Sequence, residues 1–384
     1  MNISIIGAHT TKFGELWDTS PRALAREAFT GALKKSGRDH KDVQVLFVAN
    51  MLSGMLGGQE HLGALFAEEL GCAGIAAYKV EGACASGGLA IHTAVLSLLS
   101  GQYETVAVLG VEKMTDHKPE LVSQALAGAG SSEERMAGIT FPGLYAMLAR
   151  MHMEAYGTTE EHMASVAVKN HYHASLNPNA QFHTLLTIEK VMRSSCVADP
   201  LKLLDCSPIS DGASVLILTR NKELRTKNQV SIIASKVATD TLGLGNRSTV
   251  VGLSAAKKAA HDAYKEAGMT PSDIDVAEVH DCFTIAEILA MEDLGFYAKG
   301  KAAEAIAFGE TTLGTAKKLV VNTSGGLKGC GHPVGATGVK QVVELVEQLQ
   351  GVGGKRQVAK ARTGLSHNVG GSGATCVVHI VTKQ

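Results

Sequence analysis

The sequence predicts an α/β protein built from two similar halves. Three observations carry that prediction: strand-like and helix-like segments alternate, one helix–strand run occurs twice, and a glycine-rich turn opens a helix in each half. The N-terminal Met-Asn-Ile-Ser-Ile-Ile-Gly reads as a first strand. Ala23 to Lys35 has a helical pattern and stops at Gly37, a residue suited to the left-handed position after a helix. Asp42 and a strand-like 43–48 follow. Tyr78-Lys-Val-Glu81 then leads into Gly82-Ala-Cys-Ala-Ser-Gly-Gly88 and a helix to about Leu99. Residues 112–198 break the rhythm and read as a helical insertion dense in Met and His, as in Met147–Met153 and His171-Tyr-His173. Such an insertion is either a solvated cap or a lid over a substrate channel. Asp211 to Thr219 is a turn and strand that closes a first half, 1–225.

The second half, 226–384, repeats this order. Ala255 to Ala267 is helical, stops at Gly268, and is followed by Asp273 and a strand at 274–279. At constant offset Ala28, Ala32, Lys34, Gly37 and Asp42 find Ala259, Ala263, Lys265, Gly268 and Asp273. Leu319 to Asn322 leads into the glycine-rich 323–338 and a helix to about Leu349. Ser372 to Thr382 closes the half as Asp211 to Thr219 closed the first. This alternation predicts largely parallel sheets covered on both faces. Small residues are expected where helices approach the strands closely.

Composition narrows the function. The chain has 384 residues, 42 of them glycine, with 45% hydrophobic and 4% aromatic residues. With 36 basic against 37 acidic residues there is no basic stripe, so nucleic-acid binding is excluded. No apolar run reaches the ~18 residues a membrane span needs. The N-terminus lacks the basic and apolar regions of a signal peptide, and Val-Thr-Lys-Gln carries no targeting address, which places the protein in the cytoplasm. Seven cysteines are scattered without Cys-x-x-Cys spacing, so zinc-finger and thioredoxin readings fail. Most are expected to be buried thiols.

Four loops carry candidate chemistry. Cys84 sits where a strand turns into a helix, whose N-terminal dipole stabilises a thiolate; otherwise it is a buried cysteine at a helix start. The turn also has the form of a nucleophile elbow, which admits a cysteine hydrolase on an α/β-hydrolase sheet. His332, in Gly331-His-Pro-Val-Gly-Ala-Thr-Gly338, is oriented by backbone and suits a base for a thiol. It is otherwise a turn histidine, or half of a Cys330–His332 metal pair that lacks further ligands. His280-Asp-Cys-Phe283 ends a buried strand, where sites form in α/β sheets. His367-Asn-Val-Gly-Gly-Ser-Gly373 is a loop whose amides can form an oxyanion hole.

Together these strings resemble the thiolase superfamily over essentially the full chain, Gly331–Gly338 being the most specific. His280-Asp-Cys-Phe283 and Cys206-Ser-Pro-Ile-Ser-Asp-Gly-Ala213 are similar to the sterol-carrier-protein-type and archaeal branch. The resemblance implies a duplicated five-layered α-β-α-β-α thiolase fold with an inserted loop domain. It also implies roles. Cys84 is the nucleophile that becomes a thioester, and His332 removes its proton. His332 later helps bind the thioester oxygen of the second substrate, and His280 holds that oxygen's site. The Cys84 and Gly370 amides form the oxyanion hole, each donor worth ~3–4 kcal/mol in comparable acyl transfers. Many thiolases have a second acid/base cysteine where this chain has Asn368, so Cys282 takes that role, with His367 as the alternative.

The activity so implied is acyl transfer between a 3-oxoacyl-CoA and CoA, or the reverse Claisen condensation. Coenzyme A is a substrate and no metal is required. CoA phosphates are expected over the insertion, among Arg135, Arg150, Lys169 and Arg193. A homodimer or dimer of dimers is expected, and a zinc-ribbon OB-fold partner is compatible with the branch, because the chain ends just after its last strand without a fused lipid-transfer domain. Competing readings are a retro-aldol lyase of the same fold and a non-catalytic acyl-CoA-binding subunit.

Overall fold

A computed structural model of the protein describes residues 1–224, 228–316 and 318–384. The expected division between 1–225 and 226–384 therefore falls outside the described residues. In chain order the main strands are β1 (Ile3–Thr10), β2 (Val45–Ala49), β3 (Ala76–Val80), β4 (Thr105–Glu112), β5 (Gly212–Thr219), β6 (Val230–Thr239), β7 (Val276–Glu278), β8 (Val320–Val321), β9 (Thr363–Gly370) and β10 (Thr375–Lys383). They form one sheet in the order β8-β7-β9-β10-β6-β1-β5-β4-β2-β3. Its centre is the antiparallel pairing of β1 with β6, through Ile3, Ser4 and Ile5. On either side of that seam the order is the same, with β1 matching β6, β5 matching β10, β4 matching β9, β2 matching β7 and β3 matching β8.

The pairings match as well. β2 runs parallel to β3 and β4, while β5 runs antiparallel to β4 and β1. β7 runs parallel to β8 and β9, while β10 runs antiparallel to β9 and β6. The sheets are thus mixed rather than largely parallel. β5 and β10 each return beside the preceding strand, and a return of that kind makes an antiparallel pair without a crossover helix.

The main helices are α1 (Pro21–Ser36), α2 (Leu62–Glu69), α3 (Ser86–Leu99), α4 (Phe141–Tyr156), α5 (Glu160–Ser175), α6 (Ser254–Ala267), α7 (Thr284–Asp293) and α8 (Val334–Gln350). The repeated glycines Gly37 and Gly268 end α1 and α6 at φ 64° and 65°, in the left-handed region that glycine enters at no steric cost.

The helices complete five layers. α1 and α2 cover the outer face of the first half-sheet, and α6, backed by α7, covers that of the second. α3 and α8 lie between the two half-sheets and touch strands of both. Apart from the partly exposed edge strand β3, the strands are largely buried on both faces, and their alternation sorts side chains between layers. Val106 and Val108 of β4 join the central core with Ile91 of α3 and Val339 of α8. Ala107, Leu109 and Val111 join the outer core under α1, with Leu24 and Phe29.

Glycine lets the two central helices cross backbone to backbone. A Cβ on Gly87 would lie 2.8 Å from the Gly338 nitrogen, and one on Gly338 would lie 2.4 Å from the Gly88 nitrogen. This crossing brings the turns that open α3 and α8 together. Between β4 and β5 the chain leaves the sheet for residues 113–211, which include α4, α5 and several short helices. The matching connection in the second half, between β9 and β10, is residues 371–374. His173 of α5 ties the long connection down, with Nδ1 against the Asn322 carbonyl at 3.0 Å and Nε2 accepting from the Leu313 amide at 2.9 Å.

Candidate active site

The turn before α3 presents Cys84. Ala83 adopts φ 54°, in the left-handed region that disfavours a side chain. The Ser86 hydroxyl holds this shape, donating to the Ala83 carbonyl at 2.6 Å and accepting from the Gly82 amide at 3.0 Å. A strained residue held by its neighbours is a common device where a reactive side chain must be aimed. The amides of Gly371 and of Cys84 itself face the sulfur. The expected donor, Gly370, lies one residue earlier, at the end of β9. A Cβ there would meet the Gly82 carbonyl at 2.4 Å, so Gly370 permits the close approach of the two loops.

The helix start favours a thiolate at Cys84, and burial opposes it. Burial pushes the Cys84 thiol up to about 12, with Glu112 adding to the effect against the two amides. Desolvation outweighs the helix dipole here because a half-buried sulfur loses much of the water that would stabilise its charge.

The turn before α8 presents His332. Its Nδ1 lies 2.7 Å from the Thr337 hydroxyl, and that hydroxyl donates to the Pro333 carbonyl at 3.0 Å. With the hydroxyl proton on that carbonyl, His332 Nδ1 is the donor of the shorter bond and Nε2 has the free lone pair. Burial, and then Lys340, hold its pKa down at about 3, so the ring is neutral.

His280, at the end of β7, has the opposite tautomer. The Asn368 amide nitrogen donates to its Nδ1 at 3.3 Å and to the Cys84 carbonyl at 2.9 Å, while the Asn368 oxygen accepts from the Gly88 amide at 3.0 Å. Those bonds fix which way the amide points. His280 Nδ1 is therefore an acceptor and Nε2 carries the proton. Burial, then His332 and His367, keep this ring neutral too. The Nε2 atoms of both histidines are buried without a hydrogen-bond partner.

Cys84, His280 and His332 each place a ligand-type atom within 4.8 Å of the others. Three such groups resemble a zinc site, but a protonated Nε2 on His280 offers no lone pair to a metal. The set instead offers a thiol, a base and a neutral donor. The His280 and His332 rings meet edge to face, with centroids 5.1 Å apart. Cys330 is not beside His332 as a metal partner: its sulfur accepts from Asn177 on the far side of the turn.

A cavity of about 170 Å³ opens beside these groups and is lined by Cys84, Cys282 and His332. Met114, Leu126, Phe141 and Tyr145 from the 113–211 connection form much of its wall. The connection is thus part of the site rather than a solvated cap. Neither His280 nor His367 lines this cavity; His280 meets Cys84 and His332, and His367 lies behind it, its Nδ1 accepting from the His280 backbone amide at 3.4 Å. Asp281 is structural, accepting from the Leu327 and Lys328 amides and from Asn170.

The candidates for CoA phosphates separate. Lys169 is buried, 2.8 Å from Glu287, and donates to the Val321 carbonyl, so it is not a phosphate ligand. Arg150 pairs with Asp199, and Arg193 with Glu189. Arg135 is exposed.

Three residues around the site escape sequence reasoning. Glu112, the last residue of β4, accepts from the Met51, Leu52 and Gly335 amides and from Asn50, joining the first half to the start of α8. Burial raises it to about 7 against those donors. Thr337 and Tyr145 are the others. Thr337 stands inside the glycine-rich string around His332, but Glu112 and Tyr145 have no local signature.

Comparison with known proteins accounts for this architecture. The description "Thiolase, N-terminal domain" matches residues 3–222, and "Thiolase C-terminal domain-like" matches residues 237–383. The chain is 47% identical over 385 residues to an acetyl-CoA acetyltransferase of Methanothermobacter thermautotrophicus, covering 100% of both. It is 36% identical to sterol carrier protein 2 of Gallus gallus, over 98% of this chain and 71% of that protein. Among solved structures, an Ltp2-ChsH2(DUF35) aldolase superposes with a TM-score of 0.83 at 24% identity, covering 98% of this chain and 97% of the other. Both halves of the duplicated fold and the full length of the chain are matched, and the chain belongs to the thiolase family.

Proposed function

We propose that the protein is a thiolase, an acyltransferase that moves an acyl group between a 3-oxoacyl-CoA and CoA, and that also runs the reverse Claisen condensation. The observation that carries this reading is the meeting of Cys84, His280 and His332 within 4.8 Å, with hydrogen-bond partners that assign the two rings opposite tautomers. His332 offers a lone pair where a thiol proton must go. His280 offers an N–H where a thioester oxygen must be held.

In the cleavage direction, His332 Nε2 takes the Cys84 proton as the sulfur attacks the 3-oxo carbon. The Cys84 and Gly371 amides, with Gly370 shaping the loop, stabilise the oxyanion. The bond between C2 and C3 breaks, and its electron pair stays on C2 of the departing acetyl-CoA. The Cys282 thiol gives C2 a proton and becomes a thiolate, while His280 Nε2–H holds the thioester oxygen. CoA then gives its thiol proton to Cys282 and attacks the acyl group on Cys84. The Cys84 sulfur leaves and regains its proton from His332. Cys282 suits the acid/base role better than His367 because it lines the cavity.

Coenzyme A is the proposed co-substrate, with no metal in the chemistry. We further propose two halves dividing near 225/226, a cytoplasmic location, and a homodimer or dimer of dimers. An OB-fold partner is proposed on the resemblance to the archaeal branch; the superposed aldolase is named with a DUF35 component. Among the described residues no helix is long and apolar enough to cross a membrane.

Intact-protein mass spectrometry after incubation with a panel of acyl-CoAs tests the reading. A gain of one acyl group, absent in Cys84→Ala, supports it and identifies the acyl class. Cleavage activity that survives Cys84→Ala favours the retro-aldol lyase instead.

A further inference from the structure

Tyr145 of α4 is almost wholly buried, at 1% exposure. Its ring packs on Phe283 with centroids 4.7 Å apart. Its hydroxyl donates to the Gly371 carbonyl at 3.1 Å, and Tyr145 lines the same cavity as Cys282, the residue next to Phe283. A phenol has one proton to donate and lone pairs to accept with. With Cys282 as a thiol, the phenol proton stays on the Gly371 carbonyl, which leaves the phenol oxygen able to accept from the S–H. With Cys282 as a thiolate, the phenol proton is the donor at hand for the sulfur.

We propose that Tyr145 is a positioning residue for Cys282, its hydroxyl turning from the Gly371 carbonyl to the sulfur as the sulfur loses its proton. The proposal rests on the thiolase reading, in which Cys282 exchanges a proton with C2 of acetyl-CoA. It gives the inserted α4 a part in the chemistry as well as in the cavity wall.

The surroundings favour such a device. Burial holds the Cys282 thiol well above its ordinary range, and Cys84 and Asp281 act in the same direction. Tyr145 acts against them. His332 faces the same cavity as a neutral ring. Burial, then Cys282, keep the phenol protonated, with Cys84 adding to this and Arg247 opposing it. Removing the Tyr145 hydroxyl therefore makes the Cys282 thiolate harder to form.

The test compares two half-reactions in the full chain: acylation of Cys84 by acetyl-CoA, and exchange of the acetyl-CoA methyl protons in D₂O. Tyr145→Phe is expected to slow exchange about 10-fold or more relative to acylation, and to move the limb of the exchange pH profile that reports Cys282 to higher pH. Because Tyr145 acts through Cys282, adding Tyr145→Phe to Cys282→Ala is expected to slow exchange no further. An unchanged ratio and profile, or effects that multiply in the double variant, overturn the proposal. A second readout needs no folded Phe variant. The Raman S–H band lost in Cys282→Ser should show a hydrogen-bonded thiol, and a free-thiol band overturns the proposal. Wild-type protein that never acylates Cys84 would instead defeat the thiolase reading itself.

Discussion

The β4–β5 and β9–β10 pairs are the same antiparallel unit in the two halves, closed in different ways. Residues 371–374 close one, and residues 113–211 close the other. The short turn places the Gly371 amide at the Cys84 sulfur. The long connection walls the cavity and sets Tyr145 against the Gly371 carbonyl. Duplication thus explains the scaffold, and divergence at one matched connection explains much of the site.

The turns that open α3 and α8 differ in a second way. The Cys84 turn is shaped by backbone and Ser86. Beneath the His332 turn lies a buried charge network, in which Lys340 faces Glu278 at 3.4 Å and bonds the Ser324 hydroxyl at 2.8 Å. Substitutions on the two sides should separate catalysis from stability. Cys84→Ala should have the largest effect, lowering turnover by at least about 10⁴-fold with an unchanged thermal midpoint. His332→Ala should lower the acylation rate of Cys84 by about 10²–10⁴-fold, read by quenched acylation and mass spectrometry. Lys340→Met should act on stability instead, costing about 3–5 kcal/mol in denaturant unfolding, because it strands buried carboxylates. A Lys340→Met protein of normal stability would remove the contrast between the two turns.

Glu112→Gln sits between the halves. Its amide would face N–H donors that now meet a carboxylate, at a cost of about 1–3 kcal/mol in unfolding free energy. The mildest test changes only pH. With a neutral thiol and a neutral imidazole at rest, alkylation of Cys84 by iodoacetamide should rise about tenfold per pH unit through neutrality. A plateau below pH 7 would indicate a resting thiolate–imidazolium pair.

The duplication is legible in sequence because Gly37 and Gly268 recur with Ala28, Ala32 and their partners at one spacing. Cys84 and His280 are legible because each stands just past a strand, and His332 because it stands in the glycine-rich string that opens α8. The mixed strand directions are not, since hydrophobic pattern reports burial and not the direction in which a strand runs. The protonation of the Cys84 sulfur is misleading in sequence because the local helix start argues for a thiolate, whereas burial by distant segments decides against it. Tyr145 is invisible for the same reason: its partners, Gly371 and Cys282, lie far away in the chain and meet it only in the fold.

The central claim is that the two site histidines are neutral and hold opposite tautomers. Long-range ¹H–¹⁵N correlation of histidine-labelled protein at neutral pH tests it, with His280→Gln and His332→Gln assigning the signals. The account predicts a proton on Nδ1 of His332 and on Nε2 of His280. A protonated His332 ring, or the same tautomer at both positions, would contradict it.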